Sequence, residues 1–353
     1  MATTTSRSGT AQAEDTARQV GTSQRAGGSR GADAVRLHVV TGKGGTGKTT
    51  IAAALALALA SNGRRVLLCE VEGRQGLASL FDAAPLPYDE RRIAVGPDGG
   101  EVFALAIDAE AALLEYLDMF YRLGRAGKAL DRFGVIDFAT TIAPGVRDVL
   151  LTGKVYEATR RQDGGRPTYD SVVLDAPPTG RISRFLNVNT EVAGIAKVGP
   201  IRKQATSIMQ LLKSPKTRVH VVTSLEEMPV QETLDGITEL TRIGLPLGVV
   251  VVNLVREPEL AASDLVAASA DRLDTAQIAA SLKEAGIKVG DSVVAGLADE
   301  ARQHAERVAL EGEQRARLAA SRRPTVEVPF LTDGIDLGSL YDIAERLSDS
   351  EEI

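Results

Sequence analysis

Cysteine is almost absent: Cys69 is the only one in 353 residues, which excludes an internal disulfide and leaves no cysteine pair for zinc. Its place in the apolar run Arg65 to Val71 makes it a small core residue rather than a reactive thiol. The three histidines, His38, His220 and His304, stand far apart in the sequence. Two lie in strand-like runs, and all three read as structural or surface residues rather than metal ligands. Tryptophan is missing and aromatics are 4%, so aliphatic side chains must do the packing. No apolar run is long enough for a bilayer; Ile51 to Ala60 falls well short. Nor is there an excess of positive charge. The net charge of -6 gives no general attraction to nucleic acid or to an anionic membrane. Residues 1–34 hold no Leu, Ile or aromatic and are expected to be a disordered tail, without the apolar centre of a signal peptide. A soluble, cytoplasmic protein is expected.

What is present is enough apolar side chain, 44% of residues, for a sizeable core, and one stretch rich in chemistry. Gly42-Lys43-Gly44-Gly45-Thr46-Gly47-Lys48-Thr49-Thr50 lies between the apolar run Leu37 to Val40 and the apolar helical pattern Ile51 to Ala60. The order strand, loop, helix and the spacing from Gly42 through Gly47 to Lys48 and Thr49 fit a Walker A phosphate loop. Glycines let N–H groups turn towards phosphate oxygens, the Lys48 ammonium reaches the outer phosphates, and the Thr49 hydroxyl can ligate Mg²⁺. The N-terminus of the following helix favours an anion at the same place. Lys43 is not demanded by the ordinary motif and reads either as a solvated loop lysine or as a second phosphate-seeking cation.

Further along, the run Val66 to Val71 leads into Glu70-Val71-Glu72-Gly73-Arg74. In a parallel sheet this is the edge where ligands collect, so Glu70 and Glu72 are either surface acids or groups that orient a water or a metal-bound water near the phosphates. Val102 to Ile107 predicts a third strand. From Ala109 to about Arg161 the apolar spacing is helical, through Leu113, Leu117, Phe120 and Tyr121 and then Leu130, Phe133 and Ile136. That pattern serves equally for core or for a cargo groove. The β-branched run ending at Asp175, followed by Pro177-Pro178-Thr179-Gly180, resembles a Walker B strand whose acid holds the Mg²⁺ hydration shell and a turn that senses the γ-phosphate. Arg181 to Leu212 predicts two helices broken at Gly199-Pro200, bearing Arg184, Lys197, Arg202, Lys203 and Lys213 as a solvated or partner-facing surface. Val219 to Thr223 and the fully apolar Pro246 to Leu254 are further strands. Asn253 either pairs with a base edge or caps a local turn. Thr325 to Phe330 predicts the last strand. Strands alternating with helices throughout imply an α/β, doubly wound, mostly parallel sheet, a single domain over residues 35–348 with a helical insertion subdomain formed by about 109–161 and 181–215.

Lys43-Gly44-Gly45-Thr46-Gly47-Lys48-Thr49-Thr50 resembles the deviant Walker A of the SIMIBI class. With Asp175-Ala176-Pro177-Pro178-Thr179-Gly180 it resembles the ArsA/GET-type ATPases over residues 35–345, and is most like their single-site actinobacterial members. The resemblance implies an ATP-driven dimer, of two copies or of paralogues, with nucleotide at the interface and Lys43 reaching the partner's phosphates. It implies Lys48 as the phosphate-loop lysine, Thr49 as the Mg²⁺ ligand and Asp175 as the switch II acid acting through water. Glu72 stands where the family has its water-orienting Asp, Asn253 where it has the adenine-reading Asn, and Pro329 in the segment lining the base. Two departures are plain. Glu70-Val71-Glu72-Gly73-Arg74 replaces the family's Thr-Asp-Pro-Ala pattern, and both the zinc-binding Cys-x-x-Cys and the arsenite-binding cysteines are missing.

Three readings follow. The first is an Mg²⁺-dependent ATPase with Lys43, Lys48, Glu72 and Asp175 in catalysis. The second is an ATP-switched, chaperone-like module that binds a hydrophobic client through its helical region. The third, a MinD/ParA-like positioning ATPase, is disfavoured by the acidic end Ser339 to Ile353 where an amphipathic membrane helix belongs.

Overall fold

In the structure, a computed structural model, residues 34–71, 73, 75–121, 145–195, 200–350 and 353 are described. The expected tail over 1–33, Glu72, the helical pattern at Leu130, Phe133 and Ile136, and the break at Gly199 lie outside these residues. Ten strands, eleven α-helices and one short 3-10 turn at Pro97–Gly99 are seen among the described residues. The strands are β1 (Leu37–Gly42), β2 (Arg65–Glu70), β3 (Arg91–Val95), β4 (Glu101–Ala106), β5 (Gln162–Asp163), β6 (Arg166–Pro167), β7 (Ser171–Asp175), β8 (Thr217–Thr223), β9 (Leu247–Val255) and β10 (Thr325–Pro329). The helices are α1 (Lys48–Leu59), α2 (Gly76–Leu80), α3 (Ala109–Tyr121), α4 (Val146–Arg160), α5 (Thr179–Ile195), α6 (Pro200–Leu212), α7 (Glu227–Arg242), α8 (Ala262–Ser269), α9 (Thr275–Glu284), α10 (Asp291–Ala320) and α11 (Leu337–Ser348).

Eight strands form one sheet in the order β10-β9-β8-β1-β7-β2-β4-β3. Every neighbouring pair is parallel except β3 against β4. The period of two in the strands divides their side chains between two cores, one on each face. Val66 and Leu68 of β2 join the core that contains α1 and α11. Leu67 and Cys69 join the opposite core, with Ile182 and Phe185 of α5 and Ile208 of α6. Helix α1 is buried all round from Ile51 to Leu59, because the sheet lies on one side and α11 packs on the other. An apolar helix without a polar face is the only kind that can occupy such a place.

On the second face α3 packs on α4, and α4 on α5 and α6, so the described parts of the two expected helical segments meet in space. Arg184, Arg202, Lys203 and Lys213 are exposed there.

Local differences from the sequence reading have simple causes. The edge strand β3 is largely solvent-exposed and so lacks the apolar run that betrays a central strand. The two-residue strands β5 and β6 are too short for a pattern, although Gly164 and Gly165, both at positive φ, make the two-residue hairpin turn. Helix α7 begins at Glu227 with Pro229 in the first turn, where its missing N–H costs nothing.

The closing helix α11 starts with a capping box: Asp336 Oδ1 accepts from Ser339 N at 2.8 Å and Ser339 Oγ accepts from Asp336 N at 2.8 Å. Asp336→Ala is expected to fray the first turn, seen as faster amide exchange from Leu337 to Tyr341 with the remainder of α11 unchanged.

Candidate active site

Strand β1 has β7 and β2 on one side and β8, β9 and β10 on the other. It therefore marks the switch point of the sheet, and the loop leaving its C-terminal end lies where ligands bind in such folds. The residues of this loop explain its shape. A side chain at Gly42 would begin 2.1 Å from the Val222 carbonyl oxygen, so β1 and β8 can come together only over a glycine. Gly45 and Gly47 have φ of 91° and 84°, the left-handed region that side chains oppose. At Gly47 a Cβ would also lie 2.3 Å from Asn253 Nδ2. Gly44 and Gly45 are exposed, whereas Thr46 is buried. Thr46 Oγ1 donates to the Lys43 carbonyl at 2.9 Å, and Asn253 Nδ2 donates to the Thr46 carbonyl at 2.9 Å. The loop carbonyls are thus engaged by the protein's own donors, as a loop that presents N–H groups to an anion requires.

Lys48, Thr49 and Thr50 form the first turn of α1 and are half-buried. No side chain caps this helix, so its first N–H groups point at the loop and can meet phosphate oxygens. Thr49 Oγ1 donates to Asp175 Oδ2 at 2.7 Å. Asp175 ends β7, directly across from Val40 of β1 and Glu70 of β2. Thr41 Oγ1 donates to the Pro177 carbonyl at 2.7 Å, fixing the turn after Asp175 to the strand before the loop.

Lys43 forms an ion pair with Glu232 of α7 at 2.9 Å. The other oxygen of Glu232 accepts from Thr179 Oγ1 at 3.0 Å. The hydrogen bond from Lys43, and after it that from Thr179, hold the Glu232 carboxyl below the ordinary glutamate range. One carboxylate therefore joins the loop to the Pro-Pro-Thr-Gly turn. Nothing local in the sequence marks Glu232, which stands in an ordinary helical context and acquires its neighbours only when α7 packs on α5.

On the far side of the loop Asn253 is buried near the end of β9. Pro329 ends β10 opposite Val255, and the Arg256 guanidinium lies 4.6 Å from the centre of the Phe330 ring. Between the ends of β2 and β7 and the helices α4 and α5, Val71, Pro177, Arg147, Asp148, Arg181 and Phe185 line an open cleft. Burial raises the Asp148 carboxyl above its usual range, against the lowering effect of Arg181. Of the residues expected at the site, Gly42 to Thr50, Asp175 and Asn253 are brought together, Pro329 stands on a neighbouring strand, and Glu72 lies outside the described residues. Among the described residues no three His, Cys, Asp or Glu side chains cluster to hold a metal, and no helix is long and apolar enough to cross a membrane.

Comparison with known proteins agrees with this geometry. Residues 35–217 match the family model described as anion-transporting ATPase. The chain is 55% identical over 315 residues to the ATPase BagA of Mycobacterium tuberculosis, covering 89% of this chain and 93% of the relative. It is 28% identical over 245 residues to the arsenical pump-driving ATPase of Escherichia coli, covering 65% of this chain and 41% of that protein. A phosphate loop at the switch point of a mostly parallel sheet, a carboxylate at the neighbouring strand end and this family match together make the chain a member of the ArsA family of anion-transporting ATPases, an ATP-hydrolysing enzyme.

Proposed function

We propose that the enzyme is an Mg²⁺-dependent ATPase that works as a dimer in the cytoplasm, closing on ATP and opening after hydrolysis. The motion is passed to the helical region built on α3 to α6, where a hydrophobic client docks. The observation that supports this reading best is the 2.7 Å contact between Thr49 Oγ1 and Asp175 Oδ2. A hydroxyl and a carboxylate meeting beside a phosphate loop offer the all-oxygen donors that Mg²⁺ takes. These residues fit the ion: Thr49 would hold it directly and Asp175 through water. Bound with the nucleotide, Mg²⁺ would neutralise charge on the β- and γ-phosphate oxygens.

The chain's own groups supply the remainder. The loop N–H groups and the N-terminus of α1 hold phosphate oxygens, and Lys48 meets the charge that spreads over the transferring phosphoryl group. Glu72 is assigned the attacking water. Asn253 and Pro329 are assigned the adenine, Asn253 through the amide capacity left beside its bond to Thr46. The cleft lined by Val71, Pro177, Arg147, Asp148 and Arg181 adjoins both the Pro-Pro-Thr-Gly turn and the helices, which makes it the natural relay between them.

In this reading Lys43 reaches the phosphates of a second subunit, a copy of the chain or a paralogue. Its pair with Glu232 is partly solvated on both sides, at 29% and 35% exposure, and such pairs contribute only about 0.2–1 kcal/mol. A polyphosphate competes easily with that restraint. Light scattering after size exclusion is expected to show the mass doubling with ATP and Mg²⁺ for the wild type and staying monomeric for Lys43→Ala. A wild-type mass that stays that of one chain with ATP and Mg²⁺ present would refute closure between two copies. The ATP-switched binding module with slow turnover is the second reading, favoured by the longer acid Glu72 where the family's pattern has Asp.

A further inference from the structure

Glu70 is a buried carboxylate beside Asp175. It ends β2, in register with Asp175 at the end of β7, and is 3% exposed. One carboxylate oxygen, Oε1, accepts from the Gly76 N–H at 3.1 Å. The other, Oε2, is buried without a hydrogen-bond partner. The position where a Cβ of Gly76 would stand is 3.9 Å from Glu70 Oε1, 3.9 Å from Thr49 Oγ1 and 3.2 Å from Thr49 Cγ2. The Glu70 carboxylate thus faces Thr49 across a glycine that leaves the space between them clear. A purely structural anchor for the chain after β2 needs a single acceptor, and a neutral side chain would provide it without an unanswered buried oxygen. A buried carboxylate oxygen is costly unless a donor or a cation meets it.

We infer that Glu70 is a second carboxylate of the Mg²⁺ site, holding a water of the ion's hydration shell through Oε2 while Oε1 ties Gly76 to the same place. The inference rests on the Mg²⁺–nucleotide reading given above. Mg²⁺ keeps several waters and is bound by one or two carboxylates together with phosphate oxygens, so Asp175 and Glu70 on adjacent strand ends match its habits. Partners of this kind orient what the ion carries, and their loss costs about 10–100-fold in metal affinity. Glu70 is therefore a positioning residue: it joins the Gly76 N–H, at the start of α2, to the metal, so that filling of the site and placement of that helix end occur together.

The test is Mn²⁺ binding followed by electron paramagnetic resonance in the presence of ADP, with ADP affinity measured separately in EDTA. Glu70→Gln keeps an acceptor for the Gly76 N–H and removes the charge. It is expected to weaken ADP-dependent Mn²⁺ binding about tenfold or more while leaving ADP affinity in EDTA unchanged. Glu70→Asp, which keeps the charge, is expected to bind Mn²⁺ more tightly than Glu70→Gln. Unchanged Mn²⁺ affinity in Glu70→Gln, or the reverse order of the two variants, would overturn the inference, because a structural anchor alone would give one or the other. Absence of ADP-dependent Mn²⁺ binding in the wild type would instead remove the reading beneath it, and this inference with it.

Discussion

Lys48→Ala is expected to lower the ATP turnover rate by about 10²–10³-fold, the usual effect of removing one group that stabilises transition-state charge. The residue begins α1 and is half-buried, so its charge acts beside the helix N-terminus, where partial burial leaves its field on an anion less screened than in water. Phosphoryl transfer asks a protein for positioning and charge neutralisation more than for covalent chemistry. The loss should therefore fall mainly on kcat, since the loop N–H groups still hold the phosphates of the ground state. Comparing the thermal melts of variant and wild type separates this loss of turnover from a loss of fold. A variant with wild-type turnover would show that the outer phosphates are met by another group.

The second large effect concerns acid. His38 of β1 and His220 of β8 are both 1% exposed, with His38 Nδ1 3.1 Å from His220 Nε2 and the rings stacked within 6° of parallel. The Val249 N–H donates to His220 Nδ1 at 3.3 Å, so Nδ1 is an acceptor, Nε2 carries the proton and donates to His38, and both rings are neutral. Burial, and after it the positive Arg218, lower His220 from 6.5 to about 4. His38 is pushed down in the same direction by burial, by His220 and by Arg218.

Because the folded pKa values lie below the unfolded ones, the unfolded chain binds protons first as the pH drops. Stability is complete above about pH 6.5 and is lost as the pH falls towards 4. At about 1.4 kcal/mol per unit, His220 alone accounts for roughly 3 kcal/mol across that window. Urea unfolding between pH 8 and 4.5 measures it. The expected decline begins below 6.5, where carboxylates do not yet titrate; a profile flat from 8 to 5.5 would exclude a neutral buried pair.

These two results differ in how much of their origin can be read along the chain. The phosphate loop and Asp175 are local: each needs a run of apolar residues, a particular set of side chains and a turn, all within about ten positions. The histidines stand 182 positions apart, and nothing in either strand announces the other. The same holds for Glu232, whose partners Lys43 and Thr179 come from other elements, and for Glu70, whose buried orphan oxygen is a property of its surroundings. Edge strand β3 and the hairpin β5–β6 are silent in the sequence because an exposed or very short strand leaves no periodic trace.

By itself, the sequence determined the phosphate loop with its glycines, the strand–helix alternation and the two-faced strands that make the sheet mostly parallel. These depend on backbone conformation and on the period of apolar side chains, which neighbouring residues decide. Only the tertiary structure decided that Thr49 meets Asp175, that Lys43 is tied to Glu232, that Asn253 holds the loop from behind, and that Glu70 faces Thr49 across Gly76. Such contacts depend on the order and register of strands in the sheet, and that order is set by which faces the helices can bury together, a condition satisfied by the chain as a whole.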